Sequence, residues 1–344
     1  MTHNFSLNMN RIVIKLKELI KKLPFVKLAI HHIYIYVIHP LGLLNLGLYT
    51  TFRTLKFFKL KNNIQKWKAS MRVSCHIIEK GLTMPDKRLG FGQERVLFVA
   101  NEILSHLDYK NLPEINIAVG ILKEYDKIHT ENNYTLPFKL QDKIDDVINS
   151  YPEVASLSQI KVTIEDYFSA KDSSFHTFAL SRHSIRNFSG SVSLEQLNDS
   201  IELALTAPSA CNRQAIKCHL FNNKDIVQKI LSYQNGNRGF GHLVPQLCIL
   251  TVDLRMIGTN EQNDIYFNAG LFAMNLSYAF HFNRVGSCML NWAVTPKKDK
   301  TLKKIAGILD PESVAVIIAF GAVNDKIEIA RSTKMKLNDA VVYH

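Results

Sequence analysis

Residues 181–214, SRHSIRNFSGSVSLEQLNDSIELALTAPSACNRQ, constrain this chain more than any other stretch, because two polar clusters of different chemistry bracket one amphipathic helix. The first cluster gathers Arg182, His183, Ser184 and Arg186 within five residues. Two planar guanidinium groups with paired donors, a hydroxyl and an imidazole can converge on one compact anion, and a phosphate meets that description. The second cluster, Pro208-Ser209-Ala210-Cys211-Asn212-Arg213-Gln214, follows the helix as a turn of small and amide side chains. Amides can read the edge of a heterocycle, and small residues let its face come close. As ordinary structural residues, Arg182 and Arg186 would instead form surface ion pairs, and Asn212 would cap a helix.

Around this stretch the pattern alternates. Strands are predicted at 215–222, 246–253, 286–292 and 312–321, and helices near 193–206, 224–232, 263–284 and 298–308. An α+β core follows, with a sheet flanked by helices over residues 175–344. Residues 1–174 read differently. Helical periodicity runs over 62–80, 93–109, 114–130 and 137–150, so a mainly helical N-terminal region precedes the core. Gly81 is expected to end the helix over 62–80, and Pro85, Gly90 and Gly92 punctuate the loop after it. His76 and Glu79 share a side of that helix and read as a polar packing pair, since two residues do not complete a metal site.

Charge is distributed as unevenly as structure. Residues 1–90 hold 16 Lys or Arg against three acidic residues, a net of +13, while the rest of the chain is near neutral at −1. An anionic surface is therefore the expected partner of the N-terminal segment, although a solvated basic face produces the same count. The basic residues lack the aromatic interleaving of a nucleic-acid surface, so none is expected there. Residues 28–52 contain no charged side chain and are flanked by lysines, but Pro40, Gly42, Asn45, Gly47 and three histidines punctuate the run. A buried hairpin, a monotopic membrane attachment and a membrane span all remain open. No cleavable signal peptide is evident. The five cysteines show neither close pairing nor a metal-type arrangement, which suits a reducing, cytoplasmic setting, with association at the inner face of the membrane also open. Cys211 reads as a small residue in a tight turn rather than a nucleophile, and Cys248 as a buried strand residue.

The order Ser-Arg-His-Ser-Ile-Arg-Asn-Phe, a helix, then Ala-Pro-Ser-Ala-Cys-Asn-Arg-Gln resembles the core of FMN-dependent nitroreductases. So do Asn268-Ala-Gly-Leu-Phe-Ala-Met-Asn-Leu, Val285-Gly-Ser-Cys-Met-Leu-Asn-Trp and Ala330-Arg-Ser-Thr-Lys, which extends the likeness over about 175–340. The segment His-x-x-Glu-Lys-Gly-Leu with its Gly-Phe-Gly turn is similar to N-terminal extensions of some bacterial nitroreductase-like proteins. The resemblance implies a nitroreductase-like mixed sheet, bound FMN, a homodimer with the site at its interface, and NAD(P)H as electron donor. It assigns Arg182, Ser184 and Arg186 to the phosphate and ribityl end, with His183 contributing its backbone. Asn212 and Gln214 go to polar atoms of the flavin or ribityl chain, and Pro208, Ser209 and Ala210 shape the turn. The backbone N–H of Asn291 would meet flavin N5, in a stretch where Met289 and Leu290 otherwise read as core, and Arg331 with Lys334 would complete phosphate binding. The turn at 236–239 is expected as a further approach to the cofactor, a signal of low specificity. Hydride would pass through N5 to a small-molecule acceptor that the sequence does not name, and no residue supplies catalytic chemistry of its own. The rival reading is a flavin-binding protein docked to a membrane or an assembly, with its redox activity secondary or lost.

Overall fold

The computed structural model describes residues 32–58, 63–258 and 261–344. Residues 10–26, in which basic and apolar side chains alternate at helical spacing, lie outside the described residues, as do residues 28–31 of the uncharged run. The chain divides into two compact units, Met1–Lys61 with Gly258–Gln262, and Asn62–Ile257 with Asn263–His344.

In the first unit a π-helical turn (Tyr34–Ile38) runs into α1 (His39–Phe58). Pro40, Gly42, Asn45 and Gly47 do not break it. Pro40 is the second residue of α1, directly after the π-helical turn. Among the described residues no helix is long and apolar enough to cross a membrane.

The second unit opens with four helices, α2 (Ile64–Leu82), α3 (Gln93–Ser105), α4 (Pro113–Glu131) and α5 (Phe138–Ser150). Asn63 starts α2 by accepting the N–H groups of Gln65 and Lys66. Met71, Ile78, Val99, Ile103, Ile121 and Leu122 close the core between them. Each such buried side chain stabilises the fold by about 1.5–3 kcal/mol. Gly81 lies inside α2 rather than ending it. A Cβ there would collide with the Phe91 ring, which lies against α2. Phe91 is held in turn by its carbonyl, which accepts the Tyr125 hydroxyl at 2.8 Å. The N–H of Gly90 donates to Nε2 of His129 at 2.8 Å, and Gly90 takes a φ of +72°, a conformation that L side chains rarely adopt. The Gly-Phe-Gly turn is thus a clamp on the C-terminal end of α2.

The remaining elements are β1 (Ile160–Thr163), α6 (Ile164–Phe168), α7 (Phe175–Ser181), β2 (Phe188–Gly190), α8 (Leu194–Ala204), β3 (Ile216–Phe221), α9 (Lys224–Leu231), β4 (Gln246–Asp253), α10 (Gln262–Phe282), β5 (Gly286–Asn291), α11 (Pro296–Ala306), β6 (Glu312–Val323), β7 (Lys326–Ile329) and α12 (Leu337–Ala340). The principal sheet runs β3-β4-β6, with β5 and β2 paired to the other edge of β6. All eight residues of β4 are buried, because helices cover both faces of the sheet. Leu247 and Ile249 face a core shared with α9 and α11, while Cys248 and Leu250 face one shared with α8 and α10. Cys248 is the buried strand residue that its apolar neighbours implied. A second, two-stranded sheet pairs β1 with β7 in the register Ile160↔Ile329, so the segment before the core is tied to the strand that leads into Arg331.

Candidate functional site

The first cluster leaves the C-terminal end of α7 and is fixed by its backbone. The Tyr167 hydroxyl donates to the carbonyl of His183 at 2.9 Å and accepts its N–H at 3.2 Å. Ile185 donates its N–H to the carbonyl of Ser287 on β5 at 2.9 Å. Just upstream, the Ser181 hydroxyl meets Nε2 of His281 on α10 at 2.8 Å. These anchors use main-chain groups and leave the side chains of Arg182, Ser184 and Arg186 uncommitted. Neither arginine has a hydrogen bond or ion pair among the described residues, which sets aside the surface ion-pair reading.

The chain after β7 returns to the same place. Arg331 donates its N–H to Gln159 Oε1 at 3.3 Å and its Nε to the Ser158 carbonyl at 2.6 Å. Ser332 has a φ of 48°, uncommon for a residue with a Cβ, and its N–H donates to Glu79 Oε1 at 3.3 Å. Burial pulls the His183 pKa below its ordinary value, and the charges of Arg182, Lys334 and Arg331 pull it further. Residues some 150 positions apart in sequence therefore share one cationic environment, and the structure brings Arg182, His183, Arg186, Arg331 and Lys334 together.

It also brings residues that the sequence reading left as packing. His76, Glu79 and Lys80 of α2 face this cluster. Burial, then Arg186, Lys80 and Lys334, hold His76 down to about 4. Glu79 is a buried carboxylate whose pKa rises through desolvation, against the lowering effects of the Ser332 N–H and of Arg186, Lys334 and Arg331. The hydroxyl of Ser332 lies 3.5 Å from His76 Nδ1, so the C-terminal segment sits over both residues. The available signal was spacing: positions 76, 79 and 80 fall on one helical face just before Gly81.

The second cluster is anchored elsewhere. Ala210 donates its N–H to Oδ1 of Asn268 on α10 at 3.0 Å, and Asn268 is buried. Asn275, also on α10, donates to the carbonyls of Leu203 and Ala204 and to the Thr206 hydroxyl. Between these two clamps the turn carries Cys211, Asn212 and Gln214 at φ values of 52°, 53° and 52°. Each such conformation costs on the order of 1–3 kcal/mol and persists only where the surroundings impose it. Gln214 donates its N–H to the Ser209 hydroxyl at 3.0 Å and its side-chain amide to Asn212 Oδ1 at 3.1 Å. Asn212 therefore caps no helix. Pro208 lines an apolar cavity of about 610 Å³ with Phe175, Tyr266, Phe267, Met274 and Tyr278.

Asn291 ends β5, and Gln234 donates to its carbonyl at 3.0 Å. Gln234 also accepts the N–H of Gly236, tying the turn at 236–239 to the end of β5. Leu290 belongs to the core, but Met289 faces outward and is 40% exposed, contrary to the core reading, because alternate residues of β5 point to opposite sides. Among the described residues no three His, Cys, Asp or Glu side chains are placed to hold a metal ion.

Residues 179–237 match the model of the nitroreductase family, a segment that contains both polar clusters. No curated protein matches the chain. Solved structures similar to it include an FMN-dependent nitroreductase from Clostridium difficile, at 20% identity over 48% of this chain and 96% of that one, with a TM-score of 0.40. A nitroreductase family protein from Streptococcus pneumoniae is 19% identical over 49% and 100% of the two chains, with a TM-score of 0.42. A nitroreductase with bound FMN from Desulfitobacterium hafniense is 18% identical over 47% and 94%, with a TM-score of 0.37.

Proposed function

We propose that this chain is an FMN-dependent oxidoreductase of the nitroreductase type, using NAD(P)H as donor and a small molecule as acceptor. The observation that carries the reading is the cationic cluster: Arg182 and Arg186 make no hydrogen bond or ion pair among the described residues, lie inside the segment that matches the family, and have Arg331 and Lys334 beside them. That donor set fits a phosphate ester. The guanidinium groups supply paired donors, Ser184 a short hydroxyl, and the buried Glu79 a brace that orients the 331–334 segment. When bound, FMN would supply hydride transfer between nicotinamide and acceptor.

The residues of this chain would hold and orient the cofactor. Arg182, Ser184, Arg186, Arg331 and Lys334 take the phosphate and ribityl end, with His183 fixed by Tyr167 so that its backbone keeps the segment in place. The turn at 208–214, shaped by Pro208, Ser209 and Ala210, presents Asn212 and Gln214 to polar edges. Asn291 offers its N–H at the end of β5. The two clusters have separate anchors, one on β5 and Tyr167, the other on α10, which suits a site completed across a homodimer. A second reading, attachment to an anionic membrane surface, is favoured by the exposed apolar side chains of α1.

The test is cofactor occupancy. Arg182→Ala combined with Arg186→Ala should fold and lose most of its FMN, since each hydrogen bond to a charged group contributes about 1.5–3 kcal/mol. Chromophore absorbance per polypeptide, read beside circular dichroism, decides it. A folded double variant with undiminished FMN affinity would refute the assignment.

A further inference from the structure

A cavity of about 590 Å³ opens beside the C-terminal end of α2 and the turn at 235–239. Its lining mixes two chemistries: Ile77, Met84 and Phe91 are apolar, whereas Lys80, Arg88 and Arg238 are cationic. Asp86 is the one carboxylate on the lining, and it is turned to solvent, 4.0 Å from His242. None of the three cations has a hydrogen bond or ion pair among the described residues.

Lys80 differs from a surface lysine. It is half-buried, and burial pulls its pKa below the ordinary value, as do the charges of Arg186 and Arg238, while Cys288 works in the opposite direction. A solvated ammonium needs no partner, but a desolvated one is disfavoured until an anion joins it. Its neighbours also locate the cavity. Arg186 belongs to the cofactor cluster and Cys288 to β5, while Asn235 on the cavity wall adjoins Gln234, which holds Asn291. Gly239 keeps the opposite wall close. Its φ is +89°, and a Cβ there would stand 3.0 Å from the Met84 sulfur.

We propose that this cavity is the acceptor subsite, in which Lys80 and Arg238 select small aromatic acceptors bearing a carboxylate. The ring lies against Met84 and Phe91, and the carboxylate meets the two cations. The N-terminal helices thereby set specificity, because α2 delivers Lys80 and the Gly-Phe-Gly clamp fixes its position. This inference rests on the flavin reading above.

The probes are 4-nitrobenzoate and the uncharged 4-nitrobenzamide, which share a shape and differ in charge. Each nitro group takes a hydride and one proton, giving the nitroso compound and water, while the nicotinamide donor is oxidised. Calorimetric titration of the full-length protein without donor gives Kd, and steady-state turnover gives KM. The parent should prefer the carboxylate. Lys80→Met and Arg238→Met should each weaken 4-nitrobenzoate about tenfold and shift 4-nitrobenzamide less than twofold, with Lys80→Arg retaining most of the preference. Because Lys80 and the turn at 236–239 lie beside the cofactor cluster, Kd and KM are expressed per FMN-loaded site, and the KM for NAD(P)H should stay unchanged in all three. Equal weakening of both probes per loaded site, or a shift confined to the nicotinamide, would each overturn the proposal. A parent protein that binds 4-nitrobenzoate preferentially but holds no FMN would sink the flavin reading and leave the anion subsite standing.

Discussion

His281 shows how this site uses buried side chains as braces. Its Nε2 meets the Ser181 hydroxyl, its buried Nδ1 has no hydrogen-bond partner among the described residues, and the rings of Tyr167, Phe168 and Phe178 surround it. Burial, then Arg182 and His183, hold its pKa down to about 4. A histidine depressed on folding stabilises the protein while neutral, so its contribution is present above the unfolded value near 6.5 and is lost as pH falls from there toward 4. Between pH 7 and 5 the loss attributable to His281 is at most about 2 kcal/mol. His281→Phe, which keeps an aromatic ring among aromatic rings, should therefore lose less stability over that interval than the parent. Urea unfolding at the two pH values measures the difference. His76, held near 4 by its own burial, acts in both proteins and cancels in the comparison. An identical pH dependence in the variant would show that His281 carries no such burden. None of the three depressed histidines, His76, His183 and His281, was legible as such in the sequence, because burial and the charges of neighbouring residues brought close by the fold create the shift.

Among the elements, α2 and α1 stand at opposite ends of what local pattern can reveal. The periodicity over 62–80 predicts α2 nearly to the residue, but placing Gly81 at its end fails, because that glycine answers to the Phe91 ring rather than to a helix terminus. The strands β1, β2 and β7 span only three or four residues, too few for alternation to register. In α1 the signal is compositional. Leu41, Leu44, Leu48, Phe52 and Leu55 are exposed along the helix, Arg53 and Lys56 lie near its end, and no acidic residue occurs in it. Apolar insertion and basic attraction would act together at an anionic bilayer, each near-surface cation contributing about 1 kcal/mol and weakening with salt. Full-length protein should therefore float with anionic liposomes at low salt, and a chain lacking residues 1–60 should not. Equal recovery of the two in the vesicle fraction counts against membrane attachment.

At the scale of the whole molecule the exposed apolar surface bears on assembly. On α10, Tyr266, Phe267, Met274 and Phe282 are exposed, as are Phe175 and Leu180 of α7. An apolar face beside the amide turn is what a homodimer with shared flavin sites would bury. Sedimentation of the flavin-loaded protein at micromolar concentration should show a dimer, and Phe267→Glu should shift it toward monomer while lowering FMN content. A parent that stays monomeric while fully loaded would defeat the shared-site model. The sequence by itself determined the alternation of helices and strands, the helical N-terminal region, the two polar clusters and the family they resemble, since periodicity, turn chemistry and motif spacing are local properties of a chain. Only the tertiary structure decided that residues 331–334 return to Arg182 through the pairing of β1 with β7, that Glu79 braces Ser332, and that Lys80 points a desolvated charge into a cavity. Those juxtapositions join residues that no spacing rule connects, and they arise where packing brings separate elements against one another.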